Sequence, residues 1–221
     1  MQACALVLAG GDPVDASLRF ELPAHGFVVA ADSGLQLAEV LGLTVDRIVG
    51  DLDSADLDMV EAAVERGAVI ERHPAAKDAT DLELAIDAAV REGAQRVVVV
   101  GGGGGRVDHF LANTLLLTAR EWAPVHIEMR FGGACAYVVH GQRPACEFEG
   151  LPGSLVTLLP AGGAARGVVT SGLEYPLAHE DLEPGTSRGV SNVMTGRSAS
   201  VALEDGTLLV VQPDAGRGVL S

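Results

Sequence analysis

The chain is short of aromatic residues, of cysteine and of positive charge, and each shortage excludes something. Its 221 residues include five Phe, two Tyr and one Trp, too few for the stacking platforms that bind single-stranded nucleic acid. Lys and Arg number 15 against 30 Asp and Glu, a formal net charge of −15. Phosphate backbones are bound by Lys/Arg surfaces, so this balance argues against a nucleic-acid partner. A small polyphosphate stays compatible, because it arrives with its own metal and meets only a local site. Cys4, Cys135 and Cys146 show no metal-ligand spacing and, being three, cannot all pair, so cytoplasmic thiols are expected. No apolar run approaches the ~20 residues that span a bilayer. The start, Met1-Gln2-Ala3-Cys4-Ala5-Leu6, lacks the basic n-region of a signal peptide. No membrane partner is expected, and a soluble enzyme or small-molecule binder is favoured.

What is present is ample apolar material, 48% of residues with a mean hydropathy of +0.29, and a clear change of texture along the chain. Short apolar runs at Ala3 to Ala9, Phe27 to Ala31, Arg47 to Val49, Ala68 to Ile70 and Arg96 to Val100 read as strands. Between them, Ser33 to Leu41, Ala55 to Arg66, Thr80 to Arg91 and Asp108 to Glu121 carry apolar residues at three- and four-residue intervals, the helical period. Strand, crossover helix and strand at this spacing imply a parallel sheet with helices on its faces. After Trp122-Ala123-Pro124 only short strands separated by turn signals remain. One of these turns, Glu204-Asp205-Gly206-Thr207, reads as a β-hairpin. The expected fold class is α/β plus all-β. A parallel-sheet, Rossmann-like catalytic domain over 1–123 is followed by a smaller antiparallel β-sandwich over 124–221.

Three polar clusters fall at expected strand ends, where ligands bind in open α/β sheets. Asp51 and Asp53, in Gly50-Asp51-Leu52-Asp53-Ser54, are two residues apart, so on an extended segment both carboxylates address one side and one cation. Asp53 or Ser54 could equally cap the next helix, and the motif alone leaves both uses open. Asp78 and Asp81 flank Thr80 in Lys77-Asp78-Ala79-Thr80-Asp81. Thr80 with Glu83 fits a capping box, which leaves the two aspartates to either a metal or the helix dipole. Gly101 to Gly105 followed by Arg106-Val107-Asp108-His109 is the more specific signal. Glycines free backbone N–H groups for an anion at a helix start, and an arginine forks onto phosphate oxygens. It is not a Walker A loop, since no Gly-Lys-Ser/Thr follows. Crowded carboxylates repel unless a cation neutralises them, and all-oxygen ligand sets suit Mg²⁺. The clusters together read as a metal-dependent phosphoryl-transfer site.

In this order, Ala31-Asp32-Ser33-Gly34, Gly50 to Ser54, Lys77 to Asp81 and Gly104 to His109 with Leu111-Ala112-Asn113 resemble the catalytic domain of the thiamine pyrophosphokinase family. Gly172-Leu173-Glu174-Tyr175-Pro176-Leu177 and Ser187-Arg188-Gly189-Val190-Ser191-Asn192 are similar to its smaller thiamine-binding domain. The resemblance implies transfer of the diphosphate of ATP to the hydroxyl of thiamine, giving thiamine diphosphate and AMP. It also implies Mg²⁺ and a homodimer whose thiamine pocket lies where subunits meet. Carried over motif by motif, Asp51, Asp53, Asp78 and Asp81 would hold Mg²⁺. Arg106 with Gly103, Gly104 and Gly105 would bind phosphate, and Asp108 would support that loop or the metal. Asp32, Gly50, Thr80 and Asn113 would complete the nucleotide site. Ser187, Arg188, Ser191 and Asn192 would face thiamine. Two departures stand out: Ser33 replaces a glycine common in the first motif, and no tryptophan follows Asn192. The alternatives are a related pyrophosphokinase acting on a hydroxymethyl-pterin and a nucleotide- or thiamine-sensing module without turnover.

Overall fold

The computed structural model describes residues 3–53, 55–74 and 76–215, and these form two compact units. The first comprises residues up to Leu116 together with Pro124–Gly132; the second takes Leu117–Ala123 and the chain from Gly133 onward.

The first unit alternates strands and helices as the periodicity predicts. They are β1 Cys4–Ala9, β2 Phe27–Ala31, α1 Leu35–Leu41, β3 Arg47–Gly50, α2 Leu57–Glu65, β4 Val69–Arg72, α3 Asp81–Arg91, β5 Arg96–Gly101, α4 Val107–Leu116 and β6 His126–Phe131. The strands pair in parallel in the order β6-β5-β1-β2-β3-β4. From β1 the chain winds one way to β4 and then returns to lay β5 on the other side of β1. The reversal between β1 and β5 is the switch point where such sheets bind ligands. Val97, Val98, Val99 and Val100 of β5 are all 0% exposed, as a strand covered on both faces requires.

Local chemistry sets the ends of the helices. Asp56 caps α2, its Oδ1 accepting the N–H groups of Asp58 and Met59 at 3.0 and 3.4 Å. Asp53 is therefore not the cap, and Ser54, the other candidate, lies outside the described residues. Thr80 caps α3 by accepting the Glu83 N–H at 3.2 Å. Helix α1 ends on Gly42 in the left-handed conformation, φ 63°. Helix α4 stops at Leu116, short of the expected Glu121.

Two sequence expectations need correction. The boundary placed at 123/124 put the strand Ile127 to Phe131 in the β domain, whereas β6 pairs in parallel with β5 from Arg96↔His126 to Val100↔Arg130. Buried Glu128 ties it there, 2.7 Å from Arg96 and 2.9 Å from Arg130. The Asp205-Gly206 turn, read as a hairpin, instead carries the chain between two layers.

Those layers make up the second unit. Its strands are β7 Ala134–His140, β8 Cys146–Glu149, β9 Leu155–Pro160, β10 Ala165–Ser171, β11 Ala178–Leu182, β12 Asn192–Val193, β13 Ser198–Ala202 and β14 Thr207–Gln212. One antiparallel sheet runs β12-β9-β14-β7 and the other β11-β10-β13-β8. Strands β13 and β14 thus belong to opposite layers, as adjoining strands in a sandwich can. Phe148, Val156, Leu158, Val168, Leu182, Val201 and Leu208 fill the space between them.

The helices of the first unit sit so close to the sheet that side-chain volume is rationed. A Cβ on Gly34, in the 3-10 turn that precedes α1, would come 2.0 Å from the Leu8 carbonyl oxygen. Gly34→Ala should therefore cost about 3 kcal/mol of unfolding free energy, measured by urea denaturation; a cost below ~1 kcal/mol would show that α1 can move off the sheet.

Candidate active site

Strand register places the site. Gly101, Ala9 and Ala31 form one row across β5, β1 and β2, and Val49 of β3 continues it. The residues that follow the strands, Gly102, Gly10, Asp32 and Asp51, therefore open onto one cleft at the C-terminal edge, while Gly50 stays buried and paired with Arg72. The cleft has a volume of about 760 Å³ and its walls include Asp12, Asp32, Ser33, Asp51, Asp53, Lys77, Thr80, Asp81, Arg106, His109 and Asn113.

Its acidic pole is built by backbone geometry. Asp32 and Leu52 are held at φ 44° and 65°, a region that side chains other than glycine rarely adopt. Turning Leu52 into the core, where it is 6% exposed, leaves Asp51 and Asp53 to close a tight turn in which the Asp53 N–H donates to Asp51 Oδ1 at 3.1 Å. The two carboxylates converge through this turn, not through the strand alternation expected from their spacing. Asp32, Asp51 and Asp53 each bring an oxygen within 4.8 Å of the others. The Asp53 N–H and, behind it, the Lys77 charge hold the Asp51 carboxyl below the usual carboxylate range. Asp81 lies against the same spot, because a Cβ on Gly50 would sit 3.1 Å from its Oδ1 and 3.3 Å from Asp32 Cβ. The donor chemistry fits a hard divalent cation: charged oxygens, closely spaced and partly exposed, with no nitrogen or sulfur in the set.

This arrangement changes the ligand set read from the motifs. Asp51 and Asp53 meet as expected, and Asp32, assigned to the nucleotide, joins them. Asp81 is in the cleft but ion-paired with Lys77 at 2.7 Å. Asp78 is exposed and is not part of the cleft wall.

The opposite pole is the glycine loop. Gly101, Gly102, Gly104 and Gly105 all have positive φ, from 58° to 88°, so four of the five glycines serve conformation as well as access. The loop is laced to a second one after β1 that the motif reading passed over. The Gly102 N–H donates to Gly10 O at 3.0 Å and the Asp12 N–H to Gly103 O at 2.9 Å. The signal was available, since Gly10-Gly11 directly follows the apolar run of β1. Asn113 donates to Gly102 O at 3.3 Å and so braces the loop from α4. Arg106 projects into solvent at the rim, where Asp108 holds it through Nε at 3.2 Å and Nη2 at 2.6 Å. Asp108 itself is outside the cleft wall, and its side chain meets the guanidinium alone among the cleft residues described above.

In the second unit the segment read as thiamine-facing folds onto β9. The Leu158 N–H donates to Gly189 O at 2.8 Å and the Ser191 N–H to Thr157 Oγ1 at 3.2 Å. Ser187, Arg188 and Ser191 are exposed, Arg188 in an ion pair with Glu180. Asn192 differs from the expectation. It is 4% exposed, and its amide clips the chain at Tyr175, donating to the Tyr175 carbonyl at 2.8 Å while accepting the N–H groups of Tyr175 and Val193 at 3.1 and 2.9 Å. The amide is spent on backbone, and what it fixes in place is the exposed aromatic ring of Tyr175.

Fold and cleft suit an enzyme of the phosphoryl-transfer class: a parallel sheet whose cleft is lined by an acidic cluster and a glycine-arginine loop, joined in sequence to a β-sandwich. Comparison with known proteins sharpens the class. The family model described as thiamin pyrophosphokinase, catalytic domain, matches residues 21–127, and that described as thiamin pyrophosphokinase, vitamin B1 binding domain, matches residues 138–208. The thiamine pyrophosphokinase of Bacillus subtilis (strain 168) is 23% identical over 190 residues, 85% of this chain and 87% of the relative. Crystal structures of the enzymes from Bacillus subtilis and Geobacillus thermodenitrificans superpose with TM-scores of 0.80 and 0.79, at 21% and 24% identity. They cover 95% and 99% of this chain and 98% and 100% of theirs. The Candida albicans enzyme superposes at 0.74 with 16% identity, over 96% of this chain and 89% of its own. The chain belongs to the thiamin pyrophosphokinase family.

Two outcomes follow from this geometry. Asn192→Ala strips three hydrogen bonds from a buried position and should cost about 2–3 kcal/mol in thermal or urea unfolding; a neutral effect would return the amide to a ligand-facing role. The Arg106 guanidinium pulls the Asp108 carboxyl down to about 2. With the folded value depressed, the pair is fully formed above the ordinary carboxylate range and opens only as pH falls through about 2. An NMR titration of the Asp108 carboxyl carbon should show that low midpoint, and Arg106→Gln should return it towards 4.

Proposed function

We propose that the protein transfers the β,γ-diphosphate of ATP to the hydroxyl of thiamine, releasing AMP. The observation that carries this reading is the cleft itself, with carboxylates on one wall and a glycine-arginine anion site on the other. In the step, the thiamine hydroxyl oxygen bonds to the β-phosphorus while the bond from that phosphorus to the oxygen bridging to the α-phosphate breaks. The electron pair leaves with AMP, and the hydroxyl proton is lost to solvent or a neighbouring carboxylate. Such transfers depend on positioning and on offsetting charge more than on covalent help from the protein.

Asp32, Asp51 and Asp53 would hold Mg²⁺, with Asp81 within reach once it leaves Lys77. Bound there, the ion would offset negative charge on the polyphosphate oxygens. The loop N–H groups from Gly102 to Gly105 and the Arg106 fork would hold the transferred phosphates. The helix start at Thr80, and at Val107 beyond the loop, adds positive dipole on both sides. Support for thiamine over a hydroxymethyl-pterin comes from the match over residues 138–208. A sensing module without turnover would have no need of the acidic pole.

A homodimer is part of the proposal. Val107, Leu111 and Leu115 of α4 stand four residues apart and are 70%, 55% and 63% exposed, an apolar stripe of the kind that marks a protein contact. A cytoplasmic setting is supported by Cys4, Cys135 and Cys146, none of which forms a disulfide among the described residues. No helix of the described residues is long and apolar enough to cross a membrane.

The decisive experiment follows nucleotide products by chromatography with thiamine, ATP and Mg²⁺. AMP and thiamine diphosphate should form one to one, and chelation of the metal should stop both. ADP beside thiamine monophosphate would overturn the assignment.

A further inference from the structure

Lys77 is in the cleft, yet neither its motif nor the chemistry above gives it work. It precedes α3, its side chain is 14% exposed, and its Nζ lies 2.7 Å from Asp81 Oδ1. Asp81 faces Asp32 across Gly50, at the distances given above, and the Lys77 charge reaches Asp51 as well. An ammonium this enclosed among carboxylates lowers their mutual repulsion, which is also what a divalent cation does there. Lysine and metal thus answer the same negative field. Two cations a few ångströms apart repel, so both cannot keep their best positions at once.

Resting on the metal and polyphosphate reading above, we infer that Lys77 has two stations. In the metal-free site its ammonium occupies Asp81 and stands in for the cation. When Mg²⁺ and the nucleotide enter, it moves to a polyphosphate oxygen, the nearest new anion. Its four-carbon stem lets the ammonium travel without backbone movement, which the planar fork of an arginine would do less readily. The lysine is a substrate-binding residue whose resting place overlaps that of the metal. Asp81 becomes available to the ion when the lysine leaves.

The test uses Mn²⁺ as the metal probe and inorganic tripolyphosphate as the anion probe, on the full chain without nucleotide. Mn²⁺ binding is followed by paramagnetic resonance and tripolyphosphate binding by calorimetry in the presence of Mn²⁺. Lys77→Gln removes the competing charge, so Mn²⁺ should bind about fivefold or more tightly, while tripolyphosphate should bind about tenfold more weakly. Lys77→Arg keeps the charge and should leave Mn²⁺ affinity near that of the parent. A lysine that merely supports the fold would not raise metal affinity when removed. Lys77→Met, which keeps the stem, repeats the measurement should the Gln variant fold poorly. If the parent binds Mn²⁺ and neither variant binds it more tightly, the two-station inference falls alone. If the parent binds no Mn²⁺ at millimolar concentration, the metal reading falls and takes this inference with it.

Discussion

Hydrogen-bond register in the parallel ladder is the constraint on which the site depends. A parallel sheet is stepped residue by residue, and a one-residue slip turns every side chain to the other face. Here β5, β1 and β2 end level and β3 runs one residue further, so that the residues following four separate strands line one cleft. Burial of Val97 to Val100, Leu6, Leu8 and Ile48 at 0% exposure holds that register. The positions of Asp32, Asp51 and the glycine loop follow from it, although none of these residues contributes much apolar surface.

Level strand ends would be of little use if the charges they gather drove the loops apart. The acidic pole is kept together by local hydrogen bonds and one lysine: the Asp53 N–H on Asp51, and Lys77 on Asp81. The anion pole is kept together by backbone bonds between two glycine loops and by Asp108 on Arg106. Each pole carries one internal countercharge, Lys77 among four carboxylates and Asp108 beside Arg106. In the proposed reaction, ligands would exchange these internal partners for external ones, which would favour ligands that satisfy both poles.

Much of this was legible in the sequence, for identifiable reasons. Strand and helix existence followed from periodicity, and the candidate site motifs sit where alternation ends. What was not legible depended on three-dimensional closeness. Asp32 precedes Asp51 by a helix and a strand, and only the pairing of β2 with β3 brings them together. Asp78 shares a motif with Asp81 but faces outward, because the turn before α3 separates neighbours in sequence. Asn192 has the composition of a ligand contact, yet the backbone at Tyr175 claims its amide. The Asp-Gly turn before β14 marks a change of direction correctly, while its flanking strands belong to different sheets. The strand β6 was assigned to the wrong side of the boundary because its partner, β5, lies 30 residues earlier in the chain.

Ser33 stands where the family motif commonly has glycine, and the structure shows what accommodates it. A Cβ on Gly10 would lie 2.1 Å from Ser33 Oγ; without that hydroxyl the nearest remaining atoms outside residue 33 are 3.9 Å away. The two loops therefore share room for one hydroxyl between them: a methyl at Gly10 requires the Ser33 hydroxyl to turn away or be lost, whereas the Ser33 Cβ, 3.4 Å off, would make an ordinary contact. A side chain at position 10 is then tolerated only after residue 33 has given up its hydroxyl or moved it. Substitutions at Gly10 and Ser33 should then be strongly epistatic, and a survey of each position separately would misjudge what the pair permits.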